Sequence, residues 1–198
     1  MSAGLLLTGG TSRRMGIDKA TIEVAGERLA DRGARLLISV CSPVLEVGPG
    51  HTDLDAVMED PPGSGPLAAL AAGGRELRRR GHEGPAIALA VDLPLVTEDF
   101  LRFLDRFPGQ GTVVPFVSGE PQPLCARYAA EDLARAEEAV RSGERAVRGF
   151  IAALPEVQWA GPRMWGTVAD EATLADVDTP QDLRRLGLGA SSGRGVEQ

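Results

Sequence analysis

The stretch Leu5-Leu6-Leu7-Thr8-Gly9-Gly10-Thr11-Ser12-Arg13-Arg14-Met15-Gly16-Ile17-Asp18-Lys19 constrains the fold more than any other. A short, unbroken apolar run is the pattern of a strand buried on both faces, which a parallel sheet between two helical layers requires. The run ends in paired glycines. Lacking Cβ, they let backbone N–H groups approach an anion and form a concavity around it. Arg13, Arg14 and Lys19 bring positive charge to the same turn, where a polyphosphate would be neutralised. Two familiar phosphate turns do not fit. The Walker turn needs a lysine and a hydroxyl residue directly after its last glycine, whereas Gly16 is followed by Ile17-Asp18. The dinucleotide turn needs spaced glycines, whereas Gly9-Gly10 are adjacent and the next glycine is Gly16.

Strand and helix signals alternate along the rest of the chain. Strands are expected at Gly4–Thr8, Val44–Val47, Asp55–Met58 and Ala86–Val91, with a short extended piece at Thr21–Val24 ended by Ala25-Gly26. Thr112–Val117 and Pro123–Tyr128 read as an antiparallel pair joined through Ser118-Gly119-Glu120, and Val157–Trp159 and Met164–Thr167 as short extended pieces. Helices are expected over Glu27–Val40, Pro66–Arg80 (with Gly73-Gly74 as a weak spot), Glu98–Phe107, Ala129–Arg141, Ala146–Leu154 and Thr179–Leu186. Pro66 suits a first helical turn and Thr97 an N-cap. This alternation predicts a single-domain, Rossmann-like α/β fold, a three-layer sandwich with a mostly parallel sheet, spanning residues 1–186 and followed by a loose tail over 187–198.

The function classes that composition excludes narrow the reading. A net charge of −7 argues against nucleic-acid binding, which uses a basic surface. No apolar run is long enough to span a bilayer and the start lacks a signal-peptide pattern, so a cytoplasmic location is expected. Cys41 and Cys125 suggest neither a disulfide framework nor a zinc site. His51 and His82 fall in Gly/Pro-rich turns, where a surface histidine is commoner than a catalytic or metal-binding one. No serine sits in a nucleophile elbow. Arg78-Arg79-Arg80 reads as a solvated cap on the negative end of a helix dipole.

Residues Leu7 to Lys19 resemble the signature of the molybdenum-cofactor nucleotidyltransferases, and within them the guanylyltransferases, whose turn reads Leu-Ala-Gly-Gly, then Arg-Met-Gly, then Asp-Lys. Further matches lie at Gly65-Pro66-Leu67-Ala68, Asp92-Leu93-Pro94 and, as a variant of Asn-x-Asn-Thr-Pro, Asp176-Val177-Asp178-Thr179-Pro180. Where the family's guanylyltransferases usually carry a polar residue after the second strand, often asparagine, this chain has Val47-Gly48-Pro49-Gly50.

The resemblance implies transfer of GMP from GTP to the phosphate of molybdenum-molybdopterin, with release of pyrophosphate and Mg²⁺ as cofactor. Arg13, Lys19 and Asp92 would be catalytic. Leu7, Thr8, Gly9, Gly10, Lys19, Asp60, Gly65, Pro66, Leu67 and Asp92 would bind the nucleotide, with Asp60 accepting from the guanine edge. Asp92 and Asp178 would hold the metal; Asp178 also reads as the turn residue before a Thr179-Pro180 helix start. Transient contact with other proteins of cofactor biosynthesis is implied as well. The open alternatives are a CTP-dependent molybdopterin cytidylyltransferase, another phosphorylated acceptor, and a nucleotide-binding module without turnover.

Overall fold

Leu5, Leu6 and Leu7 are buried to opposite sides of one strand, and that strand lies inside the sheet. The structure is a computed structural model describing residues 1–9 and 18–188. In chain order these form β1 (Ala3–Leu7), a 3₁₀ turn (Lys19–Thr21), β2 (Glu23–Val24), β3 (Glu27–Arg28), α1 (Leu29–Ile38), β4 (Val44–Val47), β5 (Ala56–Val57) and α2 (Pro66–Arg79). There follow β6 (Ala86–Ala90), α3 (Glu98–Arg106), β7 (Val113–Val117), β8 (Glu120–Pro121), β9 (Cys125–Tyr128), α4 (Ala130–Arg141) and α5 (Val147–Ala152). The remainder is β10 (Gln158–Ala160), α6 (Pro162–Trp165), a second 3₁₀ turn (Glu171–Leu174) and α7 (Pro180–Arg185).

The sheet runs β10-β7-β9-β6-β1-β4-β5. β1 pairs in parallel with β4 and β6, β4 with β5, and β7 with β10. β9 runs antiparallel to both β6 and β7, as expected for the Pro123–Tyr128 segment. From β1 the chain moves outward to β4 and β5, then returns to β6 on the other side. The gap between β1 and β6 is therefore a point where strand order reverses, and ligands of such sheets bind outside the carboxyl ends there.

The core divides at the sheet, because side chains alternate faces along a strand. Leu5, Leu7 and Val47 pack with Leu67, Leu70 and Leu133 of α2 and α4 on one side; Leu6, Ile87 and Leu89 pack with Leu37, Phe100 and Trp165 on the other. Two glycines set how closely the helices approach. A Cβ on Gly33 of α1 would lie 2.5 Å from Leu6 Cδ1, and one on Gly73 of α2 would lie 2.8 Å from Leu5 Cδ2. Gly73-Gly74, expected as a weak spot, is instead where α2 presses onto β1 and α4.

Other expectations shift for local reasons. Ala25 and Gly26 both have positive φ (53° and 83°), the form of a two-residue hairpin turn that draws Glu27-Arg28 into β3 and starts α1 at Leu29 rather than Glu27. Ser118 and Gly119 (φ 51° and 84°) make a similar turn between β7 and β8. Of Asp55–Met58 only Ala56–Val57 pairs. Met164–Thr167 is not extended: Pro162 opens a short helix to Trp165, whose indole N–H donates to Ala160 O (3.0 Å) and whose ring meets Phe100 edge-on. Both cysteines are buried and unpaired, and burial pushes the Cys41 thiol up to about 12. Of the expected tail, residues 189–198 lie outside the described residues. Among the described residues no helix is long and apolar enough to cross a membrane.

One charge lies inside the antiparallel half of the sheet. Arg127 of β9 is 1% exposed and spends its guanidinium on carbonyls: Leu104, Asp105 and Phe107 through Nη1, Gly109 through Nη2 and Gly111 through Nε and Nη2, at 2.8–3.3 Å. It fixes the backbone that turns from α3 into β7. Because Arg127→Met leaves several carbonyls without donors, it should lower the free energy of unfolding by about 3 kcal/mol, measured by urea denaturation.

Candidate functional site

β1 and β6 end side by side. Leu7 pairs with Ala90, and Val91 N–H donates to Leu7 O (3.1 Å), so Thr8-Gly9 and Asp92 leave the same edge of the sheet. Val177 N–H donates to Asp92 O (2.9 Å), bringing the chain before α7 to the same place. Asp178 is held there by the helix start that follows it. Asp182 accepts from the backbone N–H groups of Asp178 and Thr179 and from Thr179 Oγ1, while Thr179 Oγ1 accepts from Asp182 N–H. Asp178 is thus the residue directly before the N-cap of α7, as its turn reading expected.

Lys19 joins these segments. It lies in the 3₁₀ turn capped by Asp18, whose Oδ1 accepts from Ala20 N–H (3.0 Å). Its ammonium donates to Asp92 Oδ2 at 2.7 Å and to Asp178 Oδ1 at 2.6 Å. Burial alone would lower the Lys19 pKa, but its hydrogen bonds to Asp178 and Asp92 and their negative charges outweigh that, and the pKa stands above the ordinary value. Asp176 is pushed above the usual carboxylate range, first by desolvation and then by the charges of Asp178 and Asp92. The region is therefore rich in carboxylates and holds a cation. Among the described residues no three metal-capable side chains converge. Magnesium, however, is commonly held by one or two carboxylates together with substrate phosphates. An ammonium already sits between Asp92 and Asp178, so the pair fits a single cation.

The other expected residues divide. Leu7, Thr8 and Gly9 lie at the end of β1; Gly10 and Arg13 lie outside the described residues. Gly65 (φ 95°) is the N-cap of α2, Pro66 its first residue, and Leu67 is fully buried in the core. Asp60 is exposed and borders a shallow groove between α2 and α4 that also touches Arg75 and Arg141. No contact joins it to the Lys19 cluster among the described residues. Its neighbour Glu59 is buried: Oε1 accepts from Gly63 N–H (2.9 Å), Oε2 has no hydrogen-bond partner among the described residues, and both oxygens would stand 3.7–3.8 Å from a Cβ placed on Gly9.

Two further residues escaped sequence reasoning. Glu46, the one charge in the run Val44–Val47, is completely buried. Its Oε1 accepts from Thr8 Oγ1 (2.6 Å), Gly50 N–H (3.0 Å) and His51 N–H (2.7 Å); its Oε2 accepts from Thr52 N–H (2.9 Å) and Thr52 Oγ1 (2.8 Å). His51, expected on the surface, is mostly buried, with Nε2 3.0 Å from Asp18 Oδ2. The two atoms lie close without making an aligned hydrogen bond. A charged side chain interrupting a doubly buried strand was the available signal.

Chain topology and the charge cluster at the switch point together define a nucleotidyltransferase-type α/β protein. Comparison with known proteins agrees. The MobA-like NTP transferase domain family matches residues 4–157, and the chain belongs to that family. It is 32% identical over 197 residues to a protein of Chloroflexus aggregans named "Probable molybdenum cofactor guanylyltransferase", covering 93% of this chain and 92% of that one. A protein of the same name from Opitutus terrae is 38% identical over 160 residues, covering 77% and 78%. Among solved structures, molybdopterin-guanine dinucleotide biosynthesis protein A from Archaeoglobus fulgidus superposes with a TM-score of 0.73 at 23% identity, covering 93% of this chain and 96% of that one, and supports the fold.

Glu46 gives this region a pH signature. Burial alone would raise its pKa, but hydrogen bonds from Thr8, His51 and Thr52 outweigh that and lower it from the ordinary 4.5. A lowered native pKa means the unfolded chain takes up the proton first as pH falls. The stability Glu46 contributes is therefore complete above about pH 4.5 and is lost as pH falls through the lower native value. Acid unfolding followed by circular dichroism should be less steep below about pH 4.5 for Glu46→Gln than for the wild type.

Proposed function

We propose that the chain is a guanylyltransferase that transfers GMP from GTP to the phosphate of molybdenum-molybdopterin, as the names of its relatives suggest. The observation that carries this reading is the Lys19 ammonium held by Asp92 and Asp178 at the carboxyl ends of β1 and β6. An oxygen of the acceptor phosphate attacks the α-phosphorus of GTP and forms the new P–O bond. The bond from that phosphorus to the α,β-bridging oxygen breaks, and its electron pair leaves with pyrophosphate. Such a transfer depends on positioning and on neutralising charge rather than on covalent help from the protein.

The residues divide that work. Thr8 and Gly9 would border the phosphates, and Gly10 and Arg13, next in sequence, would supply donors to them. Lys19 has a flexible stem, so its ammonium serves either the two carboxylates or the triphosphate. Asp60 supplies an exposed carboxylate that accepts N–H groups from the guanine edge, and Gly65-Pro66-Leu67 begins the helix beside it. Asp92 and Asp178 would hold Mg²⁺, which when bound supplies positive charge against the phosphate oxygens.

Pyrophosphate release with each of the four NTPs, with and without molybdopterin, tests the assignment. Release with GTP that depends on the acceptor supports it. A preference for CTP replaces it with a cytidylyltransferase, and binding without release replaces it with a nucleotide-binding module. Asp92→Ala should reduce release by about 100-fold or more in protein that is still folded at the assay temperature, although with a lowered melting temperature. Lys19→Ala should both raise KM for GTP and lower kcat, because its charge acts on ground state and transition state alike.

A further inference from the structure

Residues 8, 9, 18 and 19 flank the glycine-rich turn, and each end reaches the loop after β4 by a different contact. On the leading side, Thr8 N–H and Gly9 N–H both donate to Val47 O (3.1 and 3.3 Å), and Thr8 Oγ1 donates to Glu46. Gly48 leaves the space this needs: a Cβ there would lie 2.1 Å from Thr8 Oγ1. On the trailing side, His51 touches Asp18, the cap of the turn that carries Lys19. Glu46 holds both sides at once, because its oxygens gather the N–H groups of Gly50, His51 and Thr52 as well as the Thr8 hydroxyl.

We propose that Glu46 is a positioning residue for nucleotide binding: its carboxylate clamps the residues on either side of the glycine-rich stretch, Thr8 directly and Asp18-Lys19 through His51. The role in binding rests on the nucleotide reading above; the clamp itself does not. A carboxylate satisfied by five donors is rigid, because each donor is itself fixed in backbone or in a packed threonine. Displacement of either end by a fraction of an ångström would move the cation away from the phosphates, and small misplacements of this kind cost large factors in binding and rate.

The test uses the full chain in two measurements. Hydrogen–deuterium exchange without ligand should show Glu46→Gln exchanging about tenfold faster over residues 48–52 and 18–21, with residues 86–90 unchanged. His51→Ala should accelerate 18–21 alone. Calorimetric titration with Mg²⁺ and GTP should show about tenfold weaker binding for Glu46→Gln, and pyrophosphate release should show KM raised and kcat lowered together, because the displaced ammonium serves both states. Thr52→Val, which removes one donor, should weaken GTP about threefold, and Thr52→Ser should restore it. Unchanged GTP affinity in Glu46→Gln, or in Thr52→Val should Glu46→Gln not fold, overturns the positioning role. If the wild type binds no nucleotide, the nucleotide reading fails by itself. Exchange then decides the clamp: faster exchange at 18–21 in Glu46→Gln upholds it, and unchanged exchange overturns it.

Discussion

The contact on which the site depends is the pair of hydrogen bonds from the Lys19 ammonium to Asp92 and Asp178. These residues are separated by 73 and 159 positions from Lys19, so the contact measures the whole topology. Lys19 is 8% exposed, and an ammonium so far out of water is stable only where negative charge meets it. Either carboxylate alone would leave less compensation for the desolvation.

What delivers the three residues to one place is the parallel sheet. β1 and β6 run side by side, so their carboxyl ends open at one edge, and the reversal of strand order leaves no crossover helix over that gap. Val177 then bonds to the Asp92 carbonyl, and the Thr179 capping box sets Asp178 beyond it. Helix approach matters equally. Gly33 and Gly73 let α1 and α2 settle on Leu6 and Leu5, holding β1 from both faces so that the turn beyond it has a fixed origin.

The sequence made much of this legible. Continuous apolar runs identified β1 and β6, because strands buried on both faces read that way. Thr97 and Thr179 announced helix starts, and both cap in the structure. Lys19, Asp92 and Asp178 could be named from their motifs, although their meeting could not be read from spacing. Illegible elements were those decided by neighbours rather than by pattern. Ala25 takes a positive φ without being glycine, so the β2–β3 hairpin was hidden inside an apparent helix start. Trp165 is buried by Phe100, which no local period around Met164 reveals. His51 lost its place on the surface to a contact with Asp18, a partner invisible in sequence order.

Glu46 and Arg127 share a physical logic that a pattern of apolar strands conceals. Each is a lone charge in an otherwise apolar strand, and neither has an opposite charge as its main partner among the described residues. Glu46 gathers backbone N–H groups from the loop after β4; Arg127 gathers backbone carbonyls from the connection into β7. A buried loop needs partners for its peptide groups, and one multivalent side chain rooted in the sheet supplies several at once. The signs follow from what each loop presents. The Gly50–Thr52 backbone turns its donors inward and requires an acceptor, whereas residues 104–111 turn carbonyls inward and require a donor. Only Glu46 also reaches the glycine turn, through Thr8. The same device that folds one loop in the antiparallel half therefore also fixes the end of β1, through Thr8, in the parallel half.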